Sequence, residues 1–209
     1  MLLYLLDKLL GRGAFHDVID CLVDALEAKD DYIGGHSSSV ANMSFDLAKA
    51  IGLRGLALED VHLAAHLHDI GKIKIPGSIL NKKEKLLPHE MDMIKKHPEF
   101  GYDILNNSKG LKNIAKIVLY HHERWDGKGY PLGVKGDKIP VGSRIIAVAD
   151  SIDAMTTDRP YRAAMSWEQC RQELLKNKGH QFDPFLAEEA LKLFEGWKKR
   201  KKTVLYGTS

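Results

Sequence analysis

The sequence predicts an all-α protein, on three observations. Apolar residues recur at three- and four-residue steps along most of the chain, no stretch alternates apolar and polar residues for long, and helix start and stop signals bracket the periodic segments. Phe15, Val18, Ile19, Leu22, Val23 and Leu26 form one apolar stripe, and Val40, Met43, Leu47 and Ile51 form a second, with Gly52 as its stop signal. A third helix is expected from about Glu59 to Ile70. Pro88 suits the first turn of a helix that Pro98 then ends or kinks. Further helical stretches run near Asn113 to Glu123 and Gly142 to Thr156. Ser166 with Gln169 makes a capping box for a helix that stops near Gly179, and Asp183 and Pro184 offer the N-cap and first residue of the last helix. The one long irregular segment, Arg124 to Val141, is rich in Gly, Pro and Asp; its length and its Trp125 and Tyr130 mark it as an ordered, functional loop.

The 209 residues suffice for one domain, with no internal repeat or low-complexity linker to divide it. The expected organisation is a short amphipathic segment over 1–12, a domain over 13–197 and a solvated basic tail over 198–209. With 44% hydrophobic and 28% charged residues the chain has globular rather than disordered composition. The apolar run Met1 to Leu10 is broken by Asp7 and Lys8 and falls short of the ~20 residues a membrane span needs. It has neither the basic start nor the small-residue cleavage site of a signal peptide. It offers instead a contact for a homodimer or a regulatory partner. A formal charge of only +3 implies no general affinity for nucleic acid, so no DNA partner is expected. Cys21 and Cys170 form no CxxC pair and fall within helical patterns, which suggests small core residues in a reducing, cytoplasmic setting.

The ten histidines fall into informative company. His68 and Asp69 are adjacent, so their side chains diverge by about 100° on a helix and can grip different sides of one metal centre. Lys72 follows one turn after His68 and can present an ammonium beside the metal without acting as a ligand. His121, His122 and Glu123 precede the irregular loop. Asp150 is followed one turn later by Asp153. His36 opens a helix and His97 stands just before Pro98. Imidazoles and carboxylates without thiolates suit iron, manganese or zinc, and their number favours a two-ion octahedral site over a closed tetrahedral zinc site. His16, His62, His66, His89 and His180 read as ordinary surface or half-buried residues, although the spacing of His62 and His66 is compatible with a ligand face. Glu123 reads as a surface or supporting carboxylate, and Asp150 has the alternative of pairing with Arg144 or Arg159.

The segments HDIGK (68–72), HHERWDGKGYP (121–131), ADSIDAMTTDRPYR (149–162) and FDP (182–184) resemble the HD-GYP domain family, phosphodiesterases of the HD phosphohydrolase superfamily that hydrolyse cyclic di-GMP. The match runs from about Asp30 to Leu193. The resemblance implies a compact helical HD-type phosphohydrolase domain with one long ordered active-site loop at about 124–141. It also implies two divalent transition-metal ions, iron or manganese first, with nickel or zinc as alternatives. His36, His68, Asp69 and Asp150 would hold one ion, and Asp69 would bridge to a second held by His97, His121 and His122. Gly129, Tyr130 and Pro131 would form the signature loop near the substrate, with Arg159 and Arg162 on its phosphates. Asp153 would support the site by hydrogen bonds.

Two departures from the family pattern matter. Where some members have a glutamate for a third metal, this chain has Tyr32, so two ions are expected. Where many carry arginine three residues after the first histidine, this chain reads His36-Ser37-Ser38-Ser39-Val40. The family's usual N-terminal sensory or receiver domain is absent from these residues, as expected of a truncated chain, a stand-alone enzyme or one that works beside a partner. The activity implied is metal-dependent hydrolysis of cyclic di-GMP by a hydroxide bridging the two ions, with Asp69 and Lys72 as catalytic residues. The product would be linear pGpG, with further cleavage to GMP. The alternatives are an HD-type phosphohydrolase acting on another nucleotide such as cyclic GMP-AMP, and an inactive binding or signalling module.

Overall fold

A computed structural model describes residues 12–29, 35–158 and 162–206. Ten α-helices and three short 3-10 segments occur among the described residues, with no strand among them; an isolated bridge joins Lys178 and Phe182. The helices are α1 (Arg12–Glu27), α2 (His36–Ala50), α3 (Gly55–His66), α4 (Gly77–Leu80), α5 (Pro88–Ile94), α6 (His97–Asn106), α7 (Lys112–Leu119), α8 (Val141–Thr156), α9 (Trp167–Asn177) and α10 (Pro184–Tyr206). The N-terminal segment up to residue 11, Tyr32 and Arg159 lie outside the described residues.

Helices α2, α3, α7 and α8 pack on one another, and their apolar faces supply fully buried Val40, Leu47, Ala64, Ile114, Val118, Ile145, Ile146 and Ile152. Burying each such aliphatic side chain stabilises the fold by about 1.5–3 kcal/mol before the entropy of ordering it is counted. Helices α9 and α10 close the far side through Leu174, Leu186, Phe194 and Trp197. Trp197 also donates from Nε1 to Asp46 of α2 at 2.9 Å. Ser166 and Gln169 form the anticipated reciprocal cap of α9, and Asp183 caps α10 by accepting from the backbone of Phe185 and Leu186.

Several expectations are corrected. The helix expected from Glu59 to Ile70 ends at His66, and Ile70–Lys74 continue as a 3-10 segment. Pro98 does not end a helix: α5 stops at Ile94, and Pro98 occupies the first turn of α6, where its missing N–H costs nothing. Helix α7 stops at Leu119, so His121 and His122 stand in the turn beyond it. Residues 198–206 of the expected basic tail are helical and form the last turns of α10. Cys21 is exposed rather than in the core, whereas Cys170 is buried, and burial pushes its thiol up to about 12. Of the expected α1 stripe, Ile19, Val23 and Leu26 are buried while Val18 and Leu22 face outward. No helix among the described residues is long and apolar enough to cross a membrane.

Candidate functional site

Five chain segments converge on one pocket of imidazoles and carboxylates. His36 comes from the first turn of α2, His68 and Asp69 from the turn after α3, and His97 from the start of α6. His121 and His122 come from the turn after α7, and Asp150 and Asp153 from α8. Close backbone approach makes this possible at Gly71, where a Cβ would collide with the His97 carbonyl and the Gly101 nitrogen. That contact seats the 3-10 segment against α6 and so brings Asp69 to His97.

The ring orientations follow a common rule. His68, His97 and His121 each donate from Nδ1 to the backbone carbonyl three residues earlier, on Ala65 at 2.8 Å, Ile94 at 2.8 Å and Val118 at 2.6 Å. A carbonyl can only accept, so Nδ1 carries the proton in each ring and Nε2 presents a lone pair to the pocket. His36 is fixed likewise, donating from Nδ1 to Asp153 Oδ2 at 2.8 Å and turning Nε2 to within 3.4 Å of Asp150 Oδ1.

The carboxylate of Asp69 lies between two groups of rings. Its Oδ2 is 3.4 Å from His68 Nε2, and its Oδ1 is 3.3 Å from His97 Nε2. His36, His68 and Asp69 can converge on one cation, and His97, His121 and His122 on another. A repulsion inside the second group tests the fit. His97 Nε2 and His121 Nε2 stand 3.2 Å apart, both with their proton committed to Nδ1, so two lone pairs face each other across the gap. A cation between them removes that conflict, and the residues fit divalent ions on both sides of Asp69.

The electrostatics run the same way. Burial pushes the Asp69 carboxyl up, but Lys72, whose ammonium sits 2.8 Å from Oδ2, outweighs it together with His68, His97 and His36, and Asp69 is held well below the usual carboxylate range. Burial, then the neighbouring His122 and His97, push His121 well below the ordinary imidazole value. Burial and then His97 bring His122 down to about 4. Both rings are therefore neutral and available as ligands near pH 7.

The irregular loop covers this pocket. Tyr130 lies over His122 with ring centroids 4.8 Å apart, and burial, then the charges of Asp69 and Asp150, push its phenol up, so it remains a hydrogen-bond donor. Gly129 admits no side chain, because a Cβ there would meet the backbone of His122, Glu123 and Arg124. Glu123, expected at the surface or in a supporting role, is buried; its Oε1 accepts from the backbone of Leu132 at 2.7 Å and Gly133 at 3.0 Å and so anchors the loop just past Tyr130 and Pro131.

Arg144 does not pair with Asp150; it donates to Asp183 Oδ2 at 2.6 Å and Asp137 Oδ1 at 3.1 Å. Arg162 is exposed and donates to the carbonyl of Ala154, on the helix that carries Asp150 and Asp153. His62 and His66 meet edge to face outside both groups, and His66 lies 3.7 Å from Asp20. Sequence reasoning missed two residues at the C-terminal end of α1 and in the turn after it. Glu27 accepts from the backbone of Gly35 and Ser37 and so caps the helix of His36, while Lys29 donates to the carbonyls of Ile73 and Ile75 below Lys72. Neither residue carries a signal in its own neighbourhood of the sequence.

The HD domain family model matches residues 20–186. The chain belongs to the HD domain family. The HD-GYP resemblance of its motifs agrees with that membership and with the helical fold. This HD domain is 43% identical over 188 residues to 3'3'-cGAMP-specific phosphodiesterase 2 of Vibrio cholerae serotype O1, covering 89% of this chain and 35% of that protein. It is 40% identical over 179 residues to a cyclic di-GMP phosphodiesterase of Thermotoga maritima, covering 85% of this chain and 49% of the relative. The chain thus spans between a third and a half of the length of these curated relatives. Its fold matches the crystal structure of a cyclic GMP-AMP specific phosphodiesterase from V. cholerae with a TM-score of 0.69 at 20% identity, over 91% of this chain and 50% of that one.

Proposed function

We propose that this HD domain hydrolyses a 3′-phosphodiester bond of a cyclic dinucleotide, with cyclic di-GMP as the main substrate, at a centre of two divalent ions. The observation that carries the reading is the placement of Asp69, with one carboxylate oxygen toward His68 and the other toward His97, between two sets of Nε2 lone pairs. His36, His68, Asp69 and Asp150 would hold one ion, and Asp69, His97, His121 and His122 the other. When bound, such a pair supplies Lewis acidity toward the phosphate and acidifies water, and iron or manganese suits these donors first.

The chain's own residues then have defined tasks. Water adds its oxygen to phosphorus, the bond to the ribose 3′-oxygen breaks, and that oxygen needs a proton. The Lys72 ammonium, held at the rim of the pocket by Asp69, carries protons at Nζ and is the candidate donor or electrostatic partner for the departing oxygen. The Tyr130 hydroxyl, kept protonated, can donate to a phosphate oxygen while its ring shuts water from the His122 side. Asp153 orients His36. Arg159 and Arg162 would take the outer phosphates; Arg162 donates to the Ala154 carbonyl through one guanidinium nitrogen and has further donors for a ligand.

The 43% identity to a relative named for 3'3'-cGAMP favours a second substrate reading, cyclic GMP-AMP at the same site. The deciding experiment is anaerobic purification, metal counting, and turnover of cyclic di-GMP, 3'3'-cGAMP and cyclic di-AMP side by side. Two ions per chain, preferred cleavage of cyclic di-GMP to the linear dinucleotide, and loss of both metal and activity in Asp69→Ala are expected. An inactive protein with two ions would overturn the enzymatic reading, and an Asp69→Ala protein that keeps both ions would overturn the bridging assignment.

A further inference from the structure

The strongest unassigned feature lies behind the site, where α10 touches α8. Lys201 Nζ donates to Asp153 Oδ1 at 3.0 Å, to Thr156 Oγ1 at 3.0 Å and to Thr157 Oγ1 at 2.6 Å. Asp153 is nearly fully buried, and its two oxygens divide their duties: Oδ2 accepts from His36 Nδ1, while Oδ1 accepts from Ser39 Oγ at 2.6 Å, Lys201 and Thr157. Position 39, where the resembled family often has arginine, is serine here, so a cation reaches this carboxylate from α10. Lys201 thus holds the oxygen of Asp153 opposite the one that accepts from His36, and fixes the orientation of the carboxylate that sets the ring.

We propose that Lys201 is a positioning residue for the ion held on the His36 side, acting through Asp153 to set the ring of His36. The inference rests on the two-ion reading and deepens it, because it makes the two ions unequal. On the other side, His97 and His121 are oriented by the backbone carbonyls of Ile94 and Val118 rather than by a side chain of α10. The His36 side depends on a charge supplied by a residue 165 positions later in the chain (201 − 36). Lys201 also lies at the C-terminal end of α8, where a cation is favoured by the helix dipole, so its position there is stable on its own account.

Removing an outer partner of a metal ligand typically weakens metal affinity by about ten- to a hundredfold. Lys201→Met should therefore weaken one of the two manganese-binding steps by that factor and leave the other unchanged, read by calorimetric titration of metal-free protein with manganese alone. Lys201→Arg should restore the weakened step. Arg200→Ala removes the neighbouring contact of α10 to Asp46, and it should leave both steps as in the wild type. A Lys201→Met protein that binds both ions with wild-type affinity overturns the inference, and so does weakening of both steps alike. Failure of Arg to restore the step overturns it equally, since a merely structural loss would not depend on charge at this position. If Lys201→Met proves unstable, Lys201→Gln, which keeps a donor without the charge, should show the same selective loss; two unaffected steps in that variant overturn the proposal. A wild-type protein that takes up no metal would instead sink the two-ion reading itself, so the two failures are distinguishable.

Discussion

Lys72 and Asp69 sit 2.8 Å apart, yet they should fail differently when removed. A protonated ammonium has no lone pair, so Lys72 contributes charge and hydrogen bonds rather than coordination. Loss of one such contact in a catalytic site costs about 10²–10³ in rate, or roughly 2.7–4 kcal/mol. Lys72→Ala is expected to retain both ions, bind cyclic di-GMP more weakly and hydrolyse it at least about a hundredfold more slowly. Metal content and single-turnover rate measured on one preparation check this, and near-normal turnover with normal metal would remove Lys72 from the mechanism. At this scale the sequence was informative, because ligand residues come as short motifs whose spacing is fixed by the local turn. His68-Asp69 and His121-His122 could be read as pairs before any geometry was available. What could not be read was the partner of each Nδ1, since a carbonyl three residues back is present in every helix and leaves no mark in residue type. Lys201 was equally invisible: its contact with Asp153 is set by how α10 lies across α8, not by anything near residue 153.

The loop between α7 and α8 is an element organised from below by one carboxylate. Glu123 is buried, and burial pushes its carboxyl up, while the backbone N–H groups of Leu132, Gly133 and Val134 pull it back down. The loop is also laced to the α9–α10 turn, since Trp125 and Asp126 donate from their backbones to Gln181 and His180. Glu123→Ala would take the acceptor away from the backbone N–H groups of Leu132, Gly133 and Val134, at no more than about 1–3 kcal/mol each because water can reach this part of the loop. It should loosen the segment that carries Gly129, Tyr130 and Pro131 without touching a ligand atom. The expected signature is a raised KM for the cyclic dinucleotide with metal content unchanged, checked by steady-state kinetics and metal counting together. A loss of metal equal to that of a ligand variant would show that Glu123 reaches the ions instead. The helices around this loop were legible from apolar periodicity and caps, most clearly α2, α8 and α9. Boundaries near the site were not: α3 and α7 both stop short so that His68 and His121 fall in turns, and nothing in the periodicity of Leu63, Leu67 and Ile70 marks the stop. The physical reason is tertiary, the close seat of Gly71 on the His97 carbonyl.

Across the whole molecule the candidate ligands span residues 36 to 150, so bound ions would cross-link α2, the turn after α3, α6, the turn after α7, and α8. A ligand present at a hundred times its Kd stabilises the folded state by about 2.7 kcal/mol. For a domain of this size that corresponds to roughly 5–11 °C in Tm. Protons should oppose this. His97, His121 and His122 all have folded-state values lowered first by burial and then by neighbouring cationic groups, His122 to about 4, against 6.5 for the unfolded chain. Between those limits the unfolded chain binds more protons than the folded one, so this contribution to stability is present above about pH 6.5 and is lost as pH falls toward 4. His36 runs the other way: burial lowers it, but Asp153, Asp150 and Asp69 outweigh that and raise it, so one ring opposes three. Metal-free protein should therefore melt at a lower temperature at pH 5.5 than at pH 7.5. The increment from added manganese should also shrink at pH 5.5, because the same nitrogens must be deprotonated to bind it. Thermal melts at both pH values, with manganese and with chelator, separate the two effects. If the chelated protein is equally stable at both, its buried rings are not held neutral as the geometry requires. If only the manganese increment is unchanged, the ions are not bound through these rings.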